Sequence, residues 1–182
     1  MLQNVAYIWK LYLKKTPYVK MYPFRGDETA MGQQPFFQFE ADFVESLRCI
    51  PMQVRLKLDT CGVKLKLEQW HRLSAGDRQH LIDRPCATSQ EAAAYRDFLR
   101  DRVWATTGQH PADLPVDPAP PWADASAIPQ SVGDRAQELQ HPITLAQWQQ
   151  LSPSQRFALI KLSRSSHEHR NFFPAMQEFE LT

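Results

Sequence analysis

The chain repeats itself. At an offset of 78 residues, LEQWHRLSAGDRQHLI (Leu67 to Ile82) aligns with LAQWQQLSPSQRFALI (Leu145 to Ile160), and Leu, Gln, Trp, Leu, Ser, Arg, Leu and Ile coincide, 8 of 16 positions. A repeat of this kind means one supersecondary unit used twice. Each copy reads as two short helices joined at a serine. In the second copy Thr144 is an N-cap with Gln147 three residues on, and Ile143 can pack on Trp148 as a hydrophobic staple. Ser152 caps the next helix, with Pro153 where a missing N–H costs nothing and Gln155 closing the capping box. Ser74 with Asp77, and Leu65 with Trp70, repeat these roles in the first copy. The conserved chemistry of the unit, a tryptophan and an arginine (Trp70 and Arg78, Trp148 and Arg156), reads as helix-to-helix packing rather than as an anion clamp. The expected fold is mostly α, a small helical domain built on two repeated helix–turn–helix units.

Further helices follow by pattern. Phe39, Phe43 and Leu47 recur every four residues in QFEADFVESLRC, a helix ending before Ile50 and Pro51. Thr88 with Glu91 caps a longer helix whose stripe of Tyr95, Phe98, Leu99 and Val103 stops at Gly108. Another helix runs from about Val132 to Leu139. One segment is ambiguous. In PMQVRLKLDTCGVKLKL the apolar residues alternate (Val54, Leu56, Leu58, then Val63, Leu65, Leu67) around Asp59-Thr60-Cys61-Gly62, the signature of a β-hairpin over residues 53–67. Pro51 as a helix start, Gly62 as a left-handed C-cap and the repeat itself favour a helix instead.

Composition limits the chemistry. Six glycines among 182 residues provide no GxGxxG and no GxxxxGK[ST], since each needs several positions without a Cβ. The formal net charge of +1 gives no footprint for nucleic acid or a membrane surface. It is a cancellation. Residues 1–31 carry Lys10, Lys14, Lys15, Lys20 and Arg25 against Asp27 and Glu28, together with four of the five tyrosines, and the remainder is slightly acidic. This basic aromatic leader is expected to be poorly ordered or not part of the native protein, with Met31 as the start. Its apolar run from Val5 to Trp9 is stopped by Lys10, too short for a membrane span, and it lacks the order of a secretory signal. Residues 32–182 then form a single helical domain with a Pro-rich connection at 109–130. Three cysteines, an odd number, fit free thiols in a reducing, cytoplasmic compartment.

Cys49, Cys61 and Cys86 are too widely spaced for a CxxC-like metal loop, yet they could converge with His71 or His80 as a further ligand. His167 and His169 flank Glu168, an HxH spacing that puts both rings on one face in a strand, where they can chelate, and leaves the geometry undefined in a loop. Solvated or buried structural roles are the simpler reading for all of them. No GxSxG, HExxH or Cys–His signature occurs, so no catalytic residue is assigned, and no cofactor is expected unless the cysteines hold a metal or an iron–sulfur cluster. A DNA-reading helix–turn–helix is disfavoured because GDRQHLID and PSQRFALIKL offer few side chains suited to base edges.

The blocks FEADFV, LRCIPM and KLDTCG within Phe36–Trp70, RPC at Arg84–Cys86, ITLAQWQQLSPSQRFALIKLSR at Ile143–Arg164 and HEHRNFFPAMQEFEL at His167–Leu181 resemble the nitrate-reductase-associated protein family of cyanobacteria and proteobacteria. The resemblance implies a small cytoplasmic accessory protein, encoded near assimilatory nitrate reductase and molybdenum-cofactor genes, that supports activity or maturation of the reductase without reducing nitrate itself. It brings no catalytic residues. The expectation is therefore a non-enzymatic partner of a molybdenum-dependent nitrate reductase or of its maturation machinery, with Trp122, Phe172, Phe173 and Phe179 as exposed contact residues. The alternatives are a metal or iron–sulfur carrier using Cys49, Cys61 and Cys86 and, more weakly, a nucleic-acid-binding regulator.

Overall fold

The computed structural model describes residues 36–164 and 167–182, so the basic leader lies outside the described residues. The chain divides into two units, Met1–Gln33 and Gln34–Thr182, and everything described here belongs to the second. A 3-10 turn (Gln38–Glu40) runs into the short α1 (Ala41–Val44), followed by α2 (Met52–Cys61), β1 (Val63–Lys64), α3 (Leu67–Arg72), α4 (Ala75–Asp83) and the long α5 (Ser89–Thr107). The Pro-rich connection contributes β2 (Ala112–Asp113). Then come α6 (Gln130–Glu138), α7 (Leu145–Gln150), α8 (Pro153–Ser163), a second 3-10 turn (His167–Asn171) and α9 (Phe172–Glu178). The fold is mostly α, with one small antiparallel strand pair, Val63 opposite Asp113 and Lys64 opposite Ala112.

The helix boundaries follow from local chemistry. Thr88, Ser74, Thr144 and Ser152 each accept the N–H of the third helical residue, while Glu91, Asp77, Gln147 and Gln155 reach back to the cap N–H. Gly62 and Gly108 end α2 and α5 in the left-handed region, at φ of 71° and 68°. The N-terminal helix is shorter than its period-four pattern suggests. It stops at Val44, and Leu47 turns to φ of 48°, which lets the Leu47 carbonyl accept Trp70 Nε1–H at 2.7 Å.

The hairpin alternative over 53–67 is not what forms. Residues 52–61 are helical, and β1 pairs with β2, not with the segment before it. The alternation has a physical source in two apolar faces on one helix. Val54, Leu58 and Cys61 pack into an N-terminal core with Trp70, Leu81 and Tyr95, whereas Met52 and Leu56, four residues apart, pack into a C-terminal core with Trp148, Phe157 and Phe172. Two period-four stripes offset by two residues look like period two.

The repeat is longer in space than in sequence. At the same offset of 78, Pro51 and Pro129 are the N-caps of α2 and α6, Val54 and Val132 are both fully buried, and Gly62 and Gln140 both sit at positive φ, 71° and 62°. Each copy is thus three helices, α2–α3–α4 and α6–α7–α8, and each fills one of the two cores. Trp148 Nε1–H donates to the Asp124 carbonyl at 3.3 Å, as Trp70 does to Leu47. Arg78 and Arg156 each use Nε–H on a main-chain carbonyl, those of Trp70 and Trp122. The Pro-rich connection is accordingly tied down: Trp122 stands edge-on to Phe157 at 5.1 Å, and Asp113 bridges Arg96 and Arg100 of α5 at 2.7 and 2.8 Å.

Candidate functional site

Where the first copy begins, the chain is forced into an open turn. Pro51 holds φ at −62° and starts α2, so Arg48, Cys49 and Ile50 lead up to the helix N-terminus without helical bonding of their own. The orphan N–H of Met52 is met from a distance by Glu40. Its Oε1 accepts that N–H at 2.8 Å and its Oε2 accepts the Phe37 N–H at 3.3 Å, with the side chain only 1% exposed. A carboxylate at a helix N-terminus is favourable electrostatically. Burial nevertheless raises the Glu40 pKa, opposed by these two N–H groups and by nearby Arg55. Arg55 is in turn held by its Nε–H on the Ile50 carbonyl at 2.9 Å.

These residues wall a cavity of about 380 Å³, within the size range of small-molecule sites. Its floor is apolar, with Phe39, Ile50, Met52 and Leu162. Arg48, Arg55 and Arg170 contribute guanidinium groups, and Cys49 a half-buried thiol. A second depression of about 510 Å³ shares Cys49, Ile50 and Arg55 and adds Lys64, Lys161 and Asp59. Together they form a groove along the seam between α2 and α8. Lys161 and Asp59 pair across it at 2.6 Å. Of the acids, Glu40 is turned inward onto backbone N–H groups, Asp59 is paired, and Asp42 remains at the rim. The groove is therefore cationic overall in a protein that is nearly neutral.

The cysteines are placed differently from one another. Cys61 and Cys86 are buried. Burial pushes their thiols up to about 12 and about 11, and their S–H groups face the Leu58 and Lys57 carbonyls at 3.6 Å. His71 Nε2 meets the Arg48 carbonyl at 2.7 Å, and His80 lies against the Phe98 ring. Among the described residues no three His, Cys, Asp or Glu side chains gather in a way that could hold a metal ion, so Cys49, Cys61, Cys86, His71 and His80 are not brought into one shell. His169 Nε2 sits 3.0 Å from the Ser163 carbonyl; the His167 side chain lies outside the described residues.

The aromatic contact candidates also separate. Phe172 is fully buried and Phe179 nearly so, the latter edge-on to Phe37 at 5.2 Å, so both are core side chains rather than exposed ones. Trp122 and Phe173 remain partly exposed. Trp104, not singled out from the sequence, is 52% exposed and stacks on His110. The last helix of the second copy, α8, is buried along most of its length. No helix among the described residues is long and apolar enough to cross a membrane.

The sequence reading missed Arg48, Arg55 and Arg170 because they meet only in three dimensions. The available signal was Arg48-Cys49 directly before the Ile-Pro start of a helix. Compared with known protein families, residues 36–179 match the one described as conserved nitrate reductase-associated protein. No curated protein and no solved structure matches the chain.

Proposed function

Because the chain belongs to the conserved nitrate reductase-associated protein family, we propose that it acts as a non-catalytic accessory of nitrate reductase, in the cytoplasm, by binding the enzyme or an intermediate in its maturation. The observation that carries the reading is the family match, which spans nearly the whole helical unit described above. The polar groups at the helix starts support a scaffolding role. The four capping boxes, Glu40, Lys57 and Arg156 make hydrogen bonds to the protein's own backbone; Lys57 Nζ, for example, donates to the Ile82 and Arg84 carbonyls at 2.6 and 2.8 Å. Contact with the partner falls to exposed aromatic surface, Trp104 foremost, with Trp122 and Phe173. Large aromatics with partial exposure are the side chains that anchor protein interfaces. Affinity capture with the tagged full chain should retain nitrate reductase, and a strain lacking the protein should lose reductase activity. Absence of association together with intact activity would overturn the proposal.

A further inference from the structure

The groove beside α2 is not needed to explain the fold. Arg48 and Arg170 are both exposed, come from positions 122 residues apart, and face one cavity, and among the described residues neither guanidinium group has a hydrogen-bond or ion-pair partner; the bond Arg48 does make, to His71, uses its main-chain carbonyl. Two guanidinium groups at one cavity, with no carboxylate bonded to either, raise the local positive potential. Glu40 is turned inward onto two backbone N–H groups, and the cation that acts on it is Arg55. Asp42 alone stands against the pair at the rim, and Asn171 adds an amide to the same wall. Guanidinium forks match the paired oxygens of phosphate-like groups.

We propose that this cavity binds an oxyanion, either a free ion of phosphate type or the phosphate of a larger molecule, held by Arg48 and Arg170 with the Cys49 thiol beside it. The apolar floor of Phe39, Ile50 and Met52 gives room for the body of a larger molecule, while the guanidinium groups take its charged end. This goes beyond the accessory role, and its test does not involve the reductase, so the two readings stand or fall separately.

The protein has its own reporter at the site. Of its three cysteines only Cys49 is not buried, so alkylation of the native full chain reports on the cavity. The ratio of its rates with iodoacetate, an anion, and iodoacetamide, which is neutral, cancels the thiolate population and reads the local field alone. That ratio should exceed the value for the uncharged reference thiol N-acetylcysteinamide, and should fall about threefold for each guanidinium removed in Arg48→Gln and Arg170→Gln. Inorganic phosphate should slow labelling more than sodium chloride of equal ionic strength. A ratio no higher than that of N-acetylcysteinamide overturns the proposal. For the case in which the variants fold poorly, protection is measured on the unaltered protein with inorganic phosphate and with adenosine monophosphate. Protection by phosphate identifies a free ion, protection by the nucleotide alone identifies a phosphate on a larger molecule, and no protection by either beyond the chloride control overturns the site.

Discussion

Equivalent positions of the two copies should both favour glycine, though only one has it. Gly62 and Gln140 end α2 and α6 at almost the same left-handed φ, but only the first has a residue suited to it. A side chain in that region costs about 1–2 kcal/mol, and glycine costs about 0.5–1 kcal/mol more to order on folding. Gln140→Gly should therefore stabilise the protein by about 0.5–1 kcal/mol. Gly108→Ala, where a Cβ meets nothing within 4 Å, should destabilise by the same amount. Gly62→Ala adds a clash. Its Cβ would lie 2.7 Å from Val116 Cγ2 and 2.8 Å from the Leu114 carbonyl oxygen. That backbone cannot yield easily, because the Gly62 carbonyl accepts both the Leu114 N–H at 2.9 Å and Arg96 Nη1–H at 2.7 Å. With overpacking at about 1–3 kcal/mol, the total is roughly 2–4 kcal/mol. Urea titration followed by tryptophan fluorescence measures all three, since Trp70 and Trp148 are buried in the two cores. A gain of 1 kcal/mol corresponds to about 2–4 °C in Tm for a chain of this size. The reasoning is refuted if Gln140→Gly lowers the midpoint, or if Gly62→Ala costs no more than Gly108→Ala.

Trp70→Phe and Trp148→Phe each delete one indole N–H bond and leave a small void; with bonds of 2.7 and 3.3 Å, Trp70→Phe should cost more, about 2–3 kcal/mol against about 1–2, as read by chemical denaturation. Thr88→Ala should cost about 1 kcal/mol and shorten the thermally stable part of α5. Glu91 in the same box has its carboxyl pKa lowered by the Thr88 and Ala87 N–H groups, so its capping contribution is full above the ordinary carboxylate range and is lost as pH falls through the depressed value; thermal scans of Glu91→Gln and unaltered protein should converge in acid. In native protein near neutral pH, mass spectrometry after iodoacetamide should find one modified thiol, Cys49, with Cys61 and Cys86 reacting only after denaturant exposes them.

Much of the fold was legible because its signals are local. Thr144 with Gln147, Ser152 with Gln155, Ser74 with Asp77 and Thr88 with Glu91 place helix starts within a span of four residues, and the structure has a helix at each. What could not be read depends on which surfaces face each other. The alternation through Val54, Leu56 and Leu58 became intelligible only once α2 was seen between two cores. The stripe of Phe39, Phe43 and Leu47 overstated its helix because Leu47 serves the distant Trp70. Phe172 and Phe179 looked superfluous to a core until the N-terminal Phe37 and the body of α8 were found against them. The cationic groove joins Arg48 to Arg170 across most of the chain, and no spacing rule links them.

The two copies share a framework but not the groove. At the offset of 78, the counterparts of Arg48, Cys49 and Arg55 are Ser126, Ala127 and Gly133, while Ile50-Pro51 and Val54 are kept as Ile128-Pro129 and Val132. One copy is left as plain support, with its helix start intact and its charged and thiol groups missing, and the other is free to carry them. The first copy's helix start is walled by Phe39 and Glu40 of the N-terminal 3-10 turn, by Leu162 of α8 and by Arg170 and Asn171. The chemistry of the groove thus belongs to the junction of unlike halves, and doubling the unit supplied the second wall that a single copy lacks.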